Sequence, residues 1–230
     1  MTNWDNKNNN WKREKPFGNG VVVLKVLNDS QDVTTDFLQE IANHKTVDGY
    51  SHAFVVRCYG ISRESGTGNY VMVMQYMSNG NLRQYLQSNY GKLGLMDKLT
   101  LLREITQGLS FIHEVGLVHQ DFHSGNILVS EIDCYITDLG LSRPANETSK
   151  GKIYGVLPYM APEVIQGRPY TQASDIYSWG MLAYEMFSCS PPFYEYTHDS
   201  ILGLRICEGL RPNIDETIMP QLLRNLIARS

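Results

Sequence analysis

Residues 119–128 read HQDFHSGNIL and contain side chains that could take part in catalysis. Asp121 supplies a carboxylate, and Asn126 supplies a neutral amide oxygen directly before an apolar run. Asp138 adds a second carboxylate in the later sequence ITDLG. Oxygen ligands of this kind suit Mg²⁺, which binds one or two carboxylates together with phosphate oxygens. Phosphoryl transfer depends mainly on positioned charges. It needs a carboxylate beside the substrate hydroxyl and ligands for Mg²⁺.

The order of these residues carries more information than any one of them. An HxD triplet is common in turns, and Asp-Leu-Gly is common in loops. In this chain HxDxxxxN is followed by a strand pattern, a short polar turn, a second strand pattern and DxG. We interpret the ordered set as a site in which Asp121 faces a hydroxyl and in which Asn126 and Asp138 bind Mg²⁺.

The first part of the chain is rich in strand patterns. Runs of β-branched and aromatic residues predict three strands, at 21–27, 53–61 and 70–77. Threonines that can cap a helix precede residues 36–44, where apolar residues recur at helical spacing. We expect residues 1–20 to form a polar tail or loop and residues 21–77 to form a small strand-rich lobe.

Helical patterns dominate from residue 78 onward. Apolar residues recur every three or four positions in one long segment, at Leu99, Leu102, Ile105, Leu109 and Ile112. Gly116 is placed to end that helix. The segment 175–187 is apolar on nearly all sides, which predicts a buried helix. Residues 78–230 are therefore expected to form a larger helical lobe, and the chain as a whole an α+β fold.

Composition excludes several classes of protein. The chain has 230 residues with a formal net charge of −4, which gives no basic surface for nucleic acid. Its four cysteines are far apart without a CxxC pair, so a zinc site or a disulfide framework is not expected. The polar start is unlike a signal peptide, and no apolar stretch is long enough to cross a membrane. We expect a soluble, cytoplasmic monomer that binds neither nucleic acid nor membrane.

The ordered motifs resemble the catalytic domain of eukaryotic protein kinases over roughly residues 20–230. HQDFHSGN is similar to the catalytic loop, and DLG is similar to the metal-binding DFG triplet. YMAPE at 159–163 resembles the end of the activation segment, and DIYSWG at 175–180 resembles the start of the buried central helix. VVLK at 22–25 resembles the strand lysine motif. HSGN and the short GVLPYMAPE segment favour the tyrosine-kinase-like branch.

The resemblance implies a two-lobed kinase fold, a protein substrate, and ATP and Mg²⁺ as cofactors. Asp121 would receive the substrate hydroxyl, with Asn126 and Asp138 on the metal. Lys25 would hold the α- and β-phosphates, paired with Glu40. The residues implied for adenine binding lie in the hinge and on either side of the base: Met74, Gln75, Tyr76 and Met77, and Val23 and Leu128.

Asp175 has two interpretations. At the start of an apolar helix it could be a plain N-cap. The resemblance implies instead that it accepts hydrogen bonds from the backbone around His119 and steadies the catalytic loop. His119 itself is expected to be a packed core residue, because Asp121 already has the role of acceptor.

Other features depart from the family pattern. No GxGxxGxV precedes Lys25, and FGNG at 17–20 is too close to the lysine, so we interpret it as a turn. We therefore expect a kinase domain that lacks its first two strands and its last segment. Gln120 replaces the arginine that pairs with an activation-loop phosphate, and His123 stands where serine/threonine kinases have lysine.

Three functions remain open at this point. The first is an ATP-dependent protein kinase acting on serine or threonine, with tyrosine also open. The second is a pseudokinase or interaction module that binds nucleotide weakly without turnover, which the missing glycine-rich loop favours. The third is a small-molecule phosphotransferase, which YMAPE argues against. A Walker-type NTPase is excluded because the chain has no GxxxxGK[ST].

Overall fold

A computed structural model describes most of the chain, in the ranges 4–5, 10–11, 21–26, 35–47, 54–131, 133–144, 154–214 and 219–227. Its contacts divide the chain into two compact units. The first consists of Met1–Val33 and Arg57–Tyr76, and the second consists of Thr34–Val56 and Met77–Ser230. Within the described ranges, no helix has both the length and the apolar character that crossing a bilayer requires.

The described strands and helices follow one another in a mixed order. The strands are β1 (Trp4–Asp5), β2 (Asn10–Trp11), β3 (Val22–Val26), β4 (Cys58–Arg63), β5 (Tyr70–Gln75), β6 (Leu117–Val118), β7 (Ile127–Ser130), β8 (Asp133–Ile136) and β9 (Arg143–Pro144). The helices are α1 (Thr35–Val47), α2 (Leu82–Ser88), α3 (Leu95–Glu114), α4 (Pro162–Ile165), α5 (Gln172–Ser188), α6 (Ser200–Cys207) and α7 (Gln221–Ile227). Short 3₁₀ turns cover Ser124–Asn126 and Leu157–Tyr159.

An antiparallel sheet of order β3-β5-β4 forms the centre of the first unit. The central strand β5 buries Val71, Met72 and Met74, as a β-branched and apolar strand does when both of its edges are paired. The edge strand β3 exposes apolar side chains, among them Val23 and Leu24. The strands predicted at 21–27 and 70–77 are present with shorter bounds, and the strand predicted at 53–61 is displaced along the chain to Cys58–Arg63.

Helix α1 belongs to the second unit and turns one stripe of side chains inward. The buried residues are Glu40, Asn43, His44 and Val47, which recur at helical spacing. Glu40, expected near the inward face, is 5% exposed. The helix therefore presents a carboxylate and an amide to the interior of its own unit.

The core of the second unit forms around α3 and α5. Helix α3 buries Leu101, Leu102, Ile105, Leu109 and Ile112, and it ends before Gly116, whose φ of 80° supplies the left-handed turn that stops a helix. Helix α5 is buried along most of its length, as its apolar sequence predicted. Strands β7 and β8 pair as the expected hairpin, with Leu128 opposite Tyr135.

Candidate active site

The backbone of the catalytic loop is held by Asp175. One carboxylate oxygen accepts the N–H of His119 at 2.7 Å, and the other accepts the N–H of Gln120 at 3.0 Å. His113 Nε2 lies 2.9 Å from the same carboxylate. The N-cap of α5 is Thr171, whose side chain accepts the N–H of Ser174, so the N-cap interpretation of Asp175 is wrong. Asp175 instead holds Gln120 in its left-handed conformation, with φ of 71°.

His119 is a fully buried packing residue. Its Nδ1 accepts the N–H of Asp121 at 3.3 Å, so its Nε2 carries the proton and donates to the carbonyl oxygen of Thr137 at 3.1 Å. The ring packs edge-on against Phe122, with centroids 5.6 Å apart. Burial lowers the pKa of His119, which keeps the imidazole neutral. Both ring nitrogens have hydrogen-bond partners within the protein, as expected for a residue that does not accept the proton of the substrate hydroxyl.

Asp121 has one hydrogen-bonded carboxylate oxygen and one that is buried without a hydrogen-bond partner among the described residues. Asn126 Nδ2 donates to Oδ2 at 3.1 Å. Oδ1 has no hydrogen-bond partner among the described residues, and His123 Nε2 approaches it at 3.4 Å without the geometry of a normal hydrogen bond. Burial alone would raise the pKa of Asp121, but the contact with His123 and the amide of Asn126 lower it below its ordinary value. The carboxylate is therefore ionised and able to accept a proton.

Asn126 is oriented so that its amide oxygen is left for another ligand. Its amide nitrogen donates both to the backbone carbonyl of Asp121 at 3.0 Å and to Asp121 Oδ2. Its own backbone carbonyl accepts the N–H of Thr137 at 2.9 Å, which joins the loop to the residue directly before Asp138. Because both amide protons are engaged, the oxygen is the only group of this side chain free to bind a metal.

Asp138 follows β8 in a left-handed conformation, with φ of 63°. A Cβ at Gly140 would lie 3.3 Å from Asp138 Oδ1 and 3.1 Å from Glu40 Oε2, so the glycine lets two carboxylates approach the same point. The described residues contain no cluster of three or more His, Cys, Asp or Glu side chains that would enclose a metal by themselves. The donors fit Mg²⁺, which takes its remaining ligands from phosphate and water.

Asn43 is a functional residue that the sequence analysis missed. Its side-chain nitrogen donates to the carbonyl oxygens of Leu139 at 3.0 Å and of Ser142 at 2.9 Å. It thereby ties α1 to the segment that carries Asp138. The available signal was its position one turn after Glu40, on the face of α1 expected to point inward, where an amide must find hydrogen-bond partners.

A narrow pocket, with room for little more than a water molecule, lies beside Asp121. Its lining includes Gly155, Val156, Tyr170 and Ser174. A Cβ at Gly155 would lie 3.5 Å from Asp121 Oδ1, so the segment that carries Gly155 covers that oxygen.

The remaining predicted site residues lie on several elements. In the first unit, Lys25 and Val23 lie on β3 opposite Met72 and Met74, Gln75 ends β5, and exposed Tyr76 follows it. In the second unit, Met77 is buried and Leu128 lies part-buried on β7. Adenine binding by these residues, phosphate binding by Lys25 and its pairing with Glu40 stay predictions.

Comparison with known proteins decides the family. The family model described as protein tyrosine and serine/threonine kinase matches residues 7–229. The chain belongs to this kinase family. The predicted α+β kinase fold, with a small sheet-rich lobe and a helical lobe, is thereby confirmed.

Individual relatives agree with this assignment. The kinase domain is 33% identical over 184 residues to the probable serine/threonine-protein kinase roco8 of Dictyostelium discoideum, covering 74% of this chain and 10% of that protein. It is 31% identical over 209 residues to ephrin type-A receptor 5 of Homo sapiens, covering 87% of this chain and 19% of that protein. The chain thus spans between a tenth and a fifth of the length of these relatives.

Proposed function

We propose that this kinase domain transfers the γ-phosphoryl group of ATP to a serine or threonine hydroxyl of a protein substrate in the cytoplasm. The observation that carries the proposal is the asymmetric restraint of Asp121. Asn126 holds Oδ2, while Oδ1 is buried beside Gly155 without a hydrogen-bond partner among the described residues. The preference for serine and threonine is supported by the name of the roco8 relative.

Each side chain then has one role. Asp121 Oδ1 orients the substrate hydroxyl and accepts its proton as the new bond forms. Asn126 and Asp138 bind Mg²⁺, and Glu40 holds Lys25 on the α- and β-phosphates. The hinge residues Gln75 to Met77, with Val23 and Leu128, bind the adenine. When bound, Mg·ATP supplies the phosphoryl group and part of the positive charge that stabilises its transfer.

A second candidate is a nucleotide-binding module without turnover. The observation in its favour is the lack of GxGxxGxV before Lys25. Such a hairpin adds backbone donors over the phosphates and excludes water from them. Its loss harms the positioning of the phosphates more than it harms binding. We therefore expect residues 1–230 by themselves to turn over below the range of roughly 1–100 s⁻¹ that kinases reach.

The experiment measures phosphorylation of a generic protein substrate under single-turnover conditions, together with the melting-temperature shift caused by Mg·ATP. Asp121→Asn is expected to keep the shift and lose transfer, because it removes only the proton acceptor. Asp138→Asn is expected to abolish Mg²⁺-dependent transfer, and Lys25→Met is expected to remove the shift. Asp97→Asn, at an exposed position of α3, is the matched control.

The outcomes separate the candidates. Transfer by Asp121→Asn at the wild-type rate would show that the assigned roles are wrong. A wild-type chain that binds Mg·ATP but transfers nothing would favour the binding module. Phosphoamino-acid analysis of the product distinguishes serine and threonine from tyrosine.

A further inference from the structure

The imidazole of His123 lies beside Asp121, and the proposed mechanism gives it no role. Its Nε2 lies 3.4 Å from Asp121 Oδ1, and its side chain is 14% exposed. Asn126 contacts the other oxygen of the same carboxylate. Each oxygen of the carboxylate therefore lies near a nitrogen atom from the same short loop.

The backbone of the loop selects the tautomer of His123. The N–H of Gly125 donates to Nδ1 at 3.0 Å, so Nδ1 is the acceptor nitrogen. A neutral imidazole that accepts at one nitrogen carries its proton on the other. The proton of His123 therefore lies on Nε2, the nitrogen that faces Asp121.

The ring of His123 lies directly against Gly125. A Cβ at Gly125 would lie 2.7 Å from His123 Cε1 and 2.8 Å from Nδ1, closer than atoms can approach without movement. Only glycine permits this packing. Gly125 therefore allows the His123 ring to pack against the loop that also carries Asn126.

A tyrosine restrains the face of the same ring. The centroids of His123 and Tyr159 lie 5.8 Å apart with the planes tilted by 46°. Tyr159 is itself fixed, because its hydroxyl donates to Glu185 Oε2 at 2.5 Å and accepts from Arg83 Nη2 at 3.0 Å. The imidazole therefore has a defined tautomer, a defined plane and a defined direction.

We propose that His123 is a positioning residue that holds the carboxylate of Asp121 with Oδ1 toward Gly155, through a neutral Nε2–H. The inference rests on the proposed function and deepens it. The long contact restrains rotation of the carboxylate without occupying Oδ1 with a normal hydrogen bond, so the oxygen can still accept the substrate hydroxyl. A neutral donor achieves this without a fixed positive charge at a position where the resemblance implies lysine.

Two substitutions separate positioning from a purely structural role. His123→Asn puts an amide oxygen where Nδ1 lies, so it keeps the acceptor for Gly125 but cannot reach Asp121. His123→Gln puts an amide N–H near the position of Nε2 and loses the acceptor for Gly125. His198→Gln, at an exposed position, is the matched control.

The kinetic expectation follows from this division. His123→Asn should melt near the wild-type temperature, yet its kcat should fall about 10- to 100-fold, the cost of misplacing a reacting group by about 1 Å. KM for ATP should not change. His123→Gln should melt at a lower temperature but retain more turnover than His123→Asn. The proposal would be overturned if His123→Asn kept the wild-type kcat while His123→Gln had a lower kcat.

A spectroscopic measurement decides the contact without relying on activity. Nitrogen chemical shifts of the chain labelled with ¹⁵N-histidine should show the His123 proton on Nε2, and this signal should move in Asp121→Asn but not in Asp97→Asn. A proton on Nδ1, or a signal insensitive to Asp121→Asn, would overturn the proposal. The expected signal in a chain that transfers no phosphate would support the contact and contradict the proposed function instead.

Discussion

The carboxylate of Asp175 accepts the backbone N–H of His119 at 2.7 Å across 56 residues of sequence. This bond joins the buried helix α5 to the loop that carries Asp121. The same carboxylate also accepts the N–H of Gln120 at 3.0 Å. The placement of the proton acceptor therefore depends on a side chain that lies outside the loop.

Replacing Asp175 with asparagine should lower both stability and turnover. An amide has one acceptor oxygen, and its NH₂ group would face a backbone donor that the carboxylate now satisfies. Hydrogen bonds to a charged group contribute about 1.5–3 kcal/mol each, so the free energy of unfolding should fall by about that amount. Urea denaturation measures this loss, and Glu195→Gln at an exposed position is the control. Unchanged stability and unchanged kcat would show that Asp175 does not hold the loop.

Alanine at Gly125 should lower turnover with little loss of stability. The added methyl would meet the ring of His123, which can swing aside because it ends a flexible side chain. The imidazole would then lose its place beside Asp121, and kcat should fall about 10- to 100-fold. Gly66→Ala is the control, since a Cβ there has no neighbour within 4 Å. Equal kcat in both variants would count against a role for the ring.

The stability of the protein should fall as the pH is lowered through the ordinary range of histidine. Burial lowers the pKa of His119 below its usual value of 6.5. Below about pH 6.5 His119 is therefore protonated in the unfolded chain but not in the folded chain, and the free energy of unfolding decreases. Urea denaturation at a series of pH values measures the slope. His119→Gln should reduce the dependence of the unfolding free energy on pH, and His198→Gln should leave it unchanged. The reverse result would show that another group is responsible for the dependence.

Glu104 should show the opposite dependence. It is 4% exposed, its Oε2 accepts the N–H of Cys134 at 2.9 Å, and burial raises its pKa above the usual value. A raised pKa in the folded state means that the contribution of Glu104 to stability is present below its unfolded pKa and is lost as the pH rises through the folded pKa.

Two variants of Glu104 test this at neutral pH. Glu104→Gln keeps an oxygen for the N–H of Cys134 and removes the buried charge, so its free energy of unfolding should equal or exceed that of the wild type. Glu104→Met leaves that donor unsatisfied and should cost about 1–3 kcal/mol. Denaturant titration measures both variants, and an equal loss in the two would mean that side-chain packing, not the acceptor oxygen, decides stability at this position.

The sequence by itself determined the elements and the list of chemical groups. Runs of β-branched and aromatic residues predicted β3 and β5, helical spacing predicted α3, and an apolar segment predicted α5. Each of these patterns depends only on residues that are near neighbours along the chain. The motif HxDxxxxN, followed by a hairpin and DxG, identified Asp121, Asn126 and Asp138 as candidates. Gly116 ended its helix as predicted, since that conformation is local too.

Only the tertiary structure decided how these groups are held. Asn43 binds carbonyl groups 96 and 99 residues away, and Tyr159 meets Arg83 across 76 residues. Thr171 proved to be the cap of α5, which left the carboxylate of Asp175 for the loop. Local patterns specify which face of an element is buried, but they contain no information about which distant polar group that face will meet. That choice is made when packing brings buried donors and acceptors together and each must be satisfied.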